Sequence, residues 1–268
     1  MASTAIREAL RVQHRVIGAL IRREFINLTS KNGLGLLLLM LEPLIFTIIV
    51  VIAVFFRTKD WGRSIPVVAF AFSGFSIMWA TRLQIIRAMG SIQAGFPLLY
   101  HRHVRPTDII LAKGILLAFT STMSFLVALP LLYHFDFMEP PEDISLIMYA
   151  WVLAQWYALT FSLITGAIAA LYAAGQRIAL VLNISHAFIT SAFYMVDWFP
   201  KTIQDILLVF PMVNACEMMR DGMFGRLCTT YYDVPYIIFC NLLLTYIGLV
   251  FCRKCANISS FLGIITNN

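Results

Sequence analysis

LLLLMLEPLIFTIIVVIAVFF, residues 36–56, decides the fold. It holds 21 residues and a single charge, Glu42. A helix of that length, at about 1.5 Å of rise per residue, reaches about 30 Å, the thickness of a bilayer's hydrocarbon core. The stretch therefore reads as a transmembrane helix. Glu42-Pro43 is its oddity. A carboxylate at that depth costs on the order of a few kcal/mol unless it finds a partner or water. Pro43 removes a backbone donor and tends to kink the helix.

The rest of the chain has the same character. Of its 268 residues 60% are hydrophobic, and its mean hydropathy is +0.81. Soluble domains sit near ~45–50% apolar, so the excess marks a polytopic membrane protein. The length leaves room for about six helices of about 20 residues and for no large soluble domain. Nucleotide-driven work would need a second polypeptide. The charged, amphipathic start is unlike a secretory signal. No GxxxxGK[ST], HExxH or GxSxG motif occurs. The five cysteines contain one CxxC, Cys252 and Cys255, which reads as incidental thiols. Pairing of Cys216 with Cys228 is the alternative to free thiols there.

In residues 1–30, Arg7, Arg11, Arg15 and Arg22 share one helical face, with Ile6, Leu10, Ile17, Leu20 and Ile21 on another part of the surface. This is a basic amphipathic helix for the membrane interface. It either anchors to anionic lipid or also meets a cytoplasmic partner through Arg15, Arg22 and Arg23. Spans are expected at 36–56, 66–86, 109–133, 146–171, 178–196 and 235–252. Residues 202–224 are apolar but carry Asp205, Pro211, Glu217, Arg220 and Asp221. Two short re-entrant helices around Pro211 suit that composition better than a seventh span. The whole chain, 1–268, then forms one all-α membrane domain: an interface helix, six transmembrane helices, and re-entrant helices between spans five and six.

Charge fixes the orientation. With the N-terminus inside, 14 of the 20 Lys and Arg fall on the cytoplasmic side, and 10 of the 14 Asp and Glu fall outside. Both termini are then cytoplasmic. No internal repeat is evident, so a pathway would more naturally arise by dimerisation.

Four stretches, in order, carry a resemblance that covers the whole chain: ALIRREFINLTSKNGLGLLLLMLEPL (19–44), FPLLYHRHVRPTDIILAK (96–113), SAFYMVDWFP (191–200) and FPMVNACEMMRDGMFG (210–225). Together they resemble the polysaccharide-export permeases, membrane subunits of type-two ABC exporters of the capsule and O-antigen class. The likeness is strongest to Gram-negative capsule-export permeases of the KpsM and BexB kind. The resemblance implies a homodimer of six-span chains in the bacterial inner membrane, joined to two ATP-binding subunits that hold ATP and Mg. It further implies a periplasmic co-polymerase, an outer-membrane polysaccharide export protein and a lipid-linked acidic polysaccharide as cargo. No cofactor on this chain, no metal and no nucleic acid are expected.

The residues themselves leave alternatives open. Tyr100, His101, Arg102, His103 and Arg105 cluster before Pro106 and Thr107-Asp108, which mark a helix start. They form either a coupling helix that docks in a partner, anchored by Tyr100 and Arg102, or a solvated basic loop; the resemblance favours coupling. Arg57, Lys59, Trp61 and Arg63, at the outer end of span one, suit an acidic polymer leaving a pore or simple interfacial snorkelling. Trp79 and Arg82 share a face. Arg82 is placed towards the pathway and Arg87 towards the interface, with an ion pair between Arg82 and Glu42 as the alternative. Tyr194 and Trp198 are either membrane-boundary aromatics or part of a pathway lining. Glu217 and Arg220, at i and i+3, are either a neutralised pair or an outer gate.

Three functions compete. An exporter permease for capsular polysaccharide leads. A type-two ABC permease for another cargo (O-antigen, a teichoic acid-like polymer or a drug) follows. An intramembrane lipid or sugar transferase is third, because Ser185-His186 is the only Ser-His neighbour in a span and adjacent residues do not face each other on a helix.

Overall fold

A computed structural model describes residues 2–29, 34–57, 65–100 and 103–265. All regular structure among them is helical. Ala2–Thr29 forms α1, Leu34–Arg57 α2, Val67–Ala88 α3 and Ser91–Ala94 α4. A 3-10 turn at Phe96–Tyr100 leads to α5 (Pro106–His134) and α6 (Ile144–Leu171). There follow α7 (Gly175–Ile189), α8 (Lys201–Leu208), α9 (Pro211–Phe224) and α10 (Val234–Ile265). Among the described residues three helices are long and apolar enough to cross a membrane: Pro106–His134, Ile144–Leu171 and Val234–Asn257.

The helix starts follow local chemistry. Pro106 occupies the first turn of α5, where its missing N–H costs nothing. The Arg105 N–H donates to Asp108 Oδ2 at 2.9 Å, which satisfies a donor at the helix entrance. Asp143 caps α6 by accepting from the Leu146 N–H at 3.1 Å.

α6 is the hub, packing against α10, α9, α3 and α7. Its buried Ala150, Ala154, Ala158 and Ala167 let neighbouring backbones approach, the usual device where lipid supplies no hydrophobic drive between helices. Aromatics fill the wider space. Trp151 stacks on Phe125 at 4.3 Å, Phe125 on Phe72 at 5.3 Å, and the Trp151 indole donates to Thr122 Oγ1 at 2.9 Å.

Residues 202–224 fold as two short helices broken just before Pro211, as their composition predicts. Asn214 fixes the corner: its Nδ2 donates to the Leu208 and Phe210 carbonyls at 2.8 and 3.1 Å, and its Oδ1 accepts from the Asp233 N–H at 3.0 Å. The start of α10 is thereby tied to the α8–α9 turn. α9 lies against the start of α6, where the Asp143 N–H donates to the Gly222 carbonyl at 2.9 Å. A Cβ at Gly222 would stand 2.8 Å from the Asp143 carbonyl oxygen, so only glycine allows this approach.

One boundary corrects the sequence reading. The fifth span, expected to run to Val196, ends as a helix at Ile189. Thr190 Oγ1 turns back to the Ala187 carbonyl at 3.0 Å, and Ser191 adopts a left-handed φ of 56°. Residues 191–200 then form a strap rather than more helix, with a 3-10 turn at Val196–Trp198.

Charge separates along the bundle. The end of α3, the start of α5 and the end of α10 bring Arg87, Arg105, Arg253 and Lys254 to one end. Asp136, Glu139, Glu142 and Asp143, between α5 and α6, share the other end with Asp221 and Asp233. There the Tyr232 hydroxyl donates to Asp221 Oδ2 at 2.8 Å. Burial and this carboxylate push the Tyr232 phenol up to about 12, so it remains a donor.

Candidate functional site

At the basic end, α1 lies along α5. Its inward face carries Gln13, Val16, Ile17, Leu20, Ile21 and Glu24, recurring at helical spacing, while Arg15, Arg22 and Arg23 are exposed. Gln13 reaches the fully buried Asp108, donating from Nε2 to Oδ1. The carboxylate that closes the entrance of α5 thus also anchors α1. This contact joins two groups that lie far apart in sequence: the exposed arginines of α1, and Tyr100 (71% exposed) with the exposed Arg105. His101 and Arg102 lie outside the described residues. The signal for Gln13 was a polar residue on the apolar face of the first helix.

Between α2 and α3 the structure reassigns an ion pair. Glu42 meets Arg87 at 3.6 Å, both partly exposed. Arg82, weighed as the partner of Glu42, is not it. Phe46 stacks on Trp79 at 3.7 Å, and this antiparallel pairing of α2 with α3 leaves Glu42 to the last turn of α3, where Arg87 stands. Arg82 stays half-buried, with its Nε–H unpartnered. The Nε1–H of Trp79, one turn earlier on the same face, is unpartnered as well. The pair predicted to share a face is a pair of unused donors.

The turn loosened by Pro43 has an outside partner. Pro43 lacks the N–H that would bond to the Leu39 carbonyl, and Ser124 of α5 donates to the next carbonyl, that of Met40. Pro43, Thr47, Ser76, Ser121 and Ser124 line a small cavity at this point. Arg57 lies at the end of α2; Lys59, Trp61 and Arg63 lie outside the described residues.

Tyr194, Trp198, Glu217 and Arg220 come together towards the acidic end. Glu217 and Arg220 are fully buried on α9, with Arg220 Nη1 3.0 Å from Glu217 Oε1. The same Nη1 donates to Ser191 Oγ at 3.2 Å and to the Tyr194 carbonyl at 2.6 Å, and Nη2 donates to the Ser191 carbonyl at 2.5 Å. Glu217 Oε1 also accepts from the Val196 N–H at 3.4 Å. The guanidinium lies 4.5 Å from the ring centre of Phe70, which stacks on Trp198 at 5.3 Å. Arg220 therefore grips the strap from within and lays it across α3. Neither member of the pair offers surface to a passing molecule; the arrangement is a clamp. Spacing revealed the pair, but Ser191 and Phe70 carry no comparable signal in the sequence.

The thiols are all free: Cys216, Cys228, Cys240, Cys252 and Cys255. Cys252 and Cys255 turn to the Leu163 and Ala167 carbonyls of α6 at 3.7 and 3.6 Å. The described residues hold no cluster of His, Cys, Asp or Glu able to bind a metal.

Against known proteins, a family model described as ABC-2 type transporter matches residues 15–224. The chain is 36% identical over 251 residues to the capsule polysaccharide export inner-membrane protein CtrC of Neisseria meningitidis serogroup B, covering 94% of this chain and 95% of that protein. It is 32% identical over 251 residues to the capsule polysaccharide export inner-membrane protein BexB of Haemophilus influenzae, with the same coverage of 94% and 95%. Similarity to the polysialic acid transport protein KpsM of Escherichia coli is 24% over 251 residues, covering 92% and 96%.

Proposed function

The chain belongs to the ABC-2 type transporter family, and on that premise we propose that it is the transmembrane subunit of an exporter carrying capsular polysaccharide across the bacterial inner membrane. The observation that carries this reading is end-to-end similarity, at 36% identity, to a protein named for capsule polysaccharide export. An acidic glycan suits the chain, because one such relative is named for polysialic acid.

In this reading α2, α3, α5, α6, α7 with the strap after it, and α10 are the six spans. The α8–α9 pair dips into the membrane from the acidic, outer end. α7 alone would reach only about 22 Å at about 1.5 Å per residue, so the strap completes its crossing. The chain works as a homodimer, with two ATP-binding subunits supplying ATP and Mg at the basic end. Arg15, Arg22, Arg23, Tyr100, His101, Arg102 and Arg105 form the coupling surface, and the Gln13–Asp108 contact would make α1 and α5 move together. The unused donors of Trp79 and Arg82 suit an oxygen-rich polymer passing near Glu42, with Arg57, Lys59, Trp61 and Arg63 at the exit. A periplasmic co-polymerase and an outer-membrane export protein continue the route.

Deletion of the gene in a capsule-producing strain is expected to abolish surface polysaccharide and to leave polymer inside the cell, with both restored by the intact chain. Normal capsule without internal accumulation would refute the reading.

A further inference from the structure

We propose that the cavity between the start of α5 and residues 249–257 of α10 binds the phosphate of an anionic lipid in the cytoplasmic leaflet. The cavity has a volume of about 490 Å³, within the ~300–1,000 Å³ of small-ligand sites. Arg105 and Thr107 line it from α5; Leu249, Cys252 and Arg253 line it from α10. Leu249, Cys252 and Arg253 stand at i, i+3 and i+4, so they share one face of α10, and Ala256 and Asn257 continue the lining.

Both arginines are exposed, and neither lies within ion-pair distance of a carboxylate among the described residues. Asp108 feels the charge of Arg105. Its carboxylate is fully buried, however, and its oxygens accept from the Arg105 N–H and from Gln13. Two guanidinium forks therefore border one cavity, neither of them in an ion pair among the described residues. A forked guanidinium matches two oxygens of a phosphate at once. Leu249 continues the wall along α10 into the apolar part of the helix, where an acyl chain would lie. Basic pockets between membrane helices on the cytoplasmic side are suited to anionic headgroups.

The phosphate has two sources, a resident phospholipid or the lipid end of the cargo. Only the second rests on the proposed export function, so failure of that function leaves the first intact.

The test uses the full chain in mild detergent, titrated with phosphatidylglycerol or phosphatidylcholine and read by native mass spectrometry. The wild-type chain is expected to retain phosphatidylglycerol preferentially. R105Q and R253Q should each weaken retention by about five-fold, and the double variant should fall to the phosphatidylcholine level. R226Q, at the opposite end, should bind like the wild type; the single variants keep the test open if the double variant fails to fold. Displacement of phosphatidylglycerol by a lipid-linked acidic oligosaccharide would assign the site to cargo, and simultaneous retention would assign it to a resident lipid. Equal retention of the two phospholipids, or unchanged retention by the arginine variants, would overturn the proposal. So would loss of a co-purifying ATP-binding subunit with lipid retention unchanged.

Discussion

Arg220→Met is expected to destabilise the protein by about 3–5 kcal/mol, the usual cost of removing one partner from a buried ion pair. The substitution leaves the Glu217 carboxylate fully buried, with backbone N–H groups, that of Val196 at 3.4 Å and that of Tyr231, in place of a charged partner. It also frees the Ser191 and Tyr194 carbonyls that Arg220 holds at 2.5 and 2.6 Å. Ser191 is then without the contact that offsets its left-handed backbone, itself a cost of about 1–2 kcal/mol. Thermal unfolding in detergent reads the loss. Labelling of Cys216, 1% exposed and on the same helix, reads whether the strap has opened. The double variant E217L/R220M should recover much of the stability, because it removes both charges and leaves packed apolar groups. An unfolding temperature unchanged in R220M would contradict the clamp.

Gly74→Val is expected to cost about 1–3 kcal/mol, the usual effect of overpacking. A Cβ at Gly74 would stand 2.8 Å from both the Cα and the carbonyl oxygen of Ala192, which are backbone atoms with no rotamer to escape into. Ala192 follows Ser191, so α3 and Arg220 press the same strap from two sides. The effects of G74V and R220M should therefore fall short of additive, since either one alone displaces the strap. Unfolding temperatures of the two single variants and the double variant measure this. Full additivity would mean that the glycine contact and the guanidinium contact hold separate parts of the structure.

The helices were legible in the sequence because hydropathy and breakers state them locally. Pro106 with Asp108 marks the start of α5, Pro211 follows the break between α8 and α9, and the apolar run after Ser145 yields α6. The end of α7 was not legible. Ala192 to Val196 is as apolar as the helix before it, and nothing at Ser191 announces a left-handed turn. That conformation is held by Arg220, 29 residues away in sequence. The ion pairs divide on the same line. Glu217 and Arg220 are neighbours on one helix, so spacing finds them. Glu42 and Arg87 meet only through the relative height of α2 and α3, which periodicity within either helix does not fix. Gln13 on Asp108 lies between these cases, since its position on the apolar face of α1 was visible and its partner was not.

For a chain proposed as the membrane half of an ATP-driven exporter, the most direct measurement is of the assembled machine. The tagged chain is purified from membranes of a capsule-producing cell and assayed for a bound ATP-binding subunit and for ATP hydrolysis. Equal numbers of the two chains are expected, with hydrolysis stimulated over that of the isolated ATP-binding subunit. A chain that recovers no ATP-binding subunit and stimulates none when mixed with it would contradict the account.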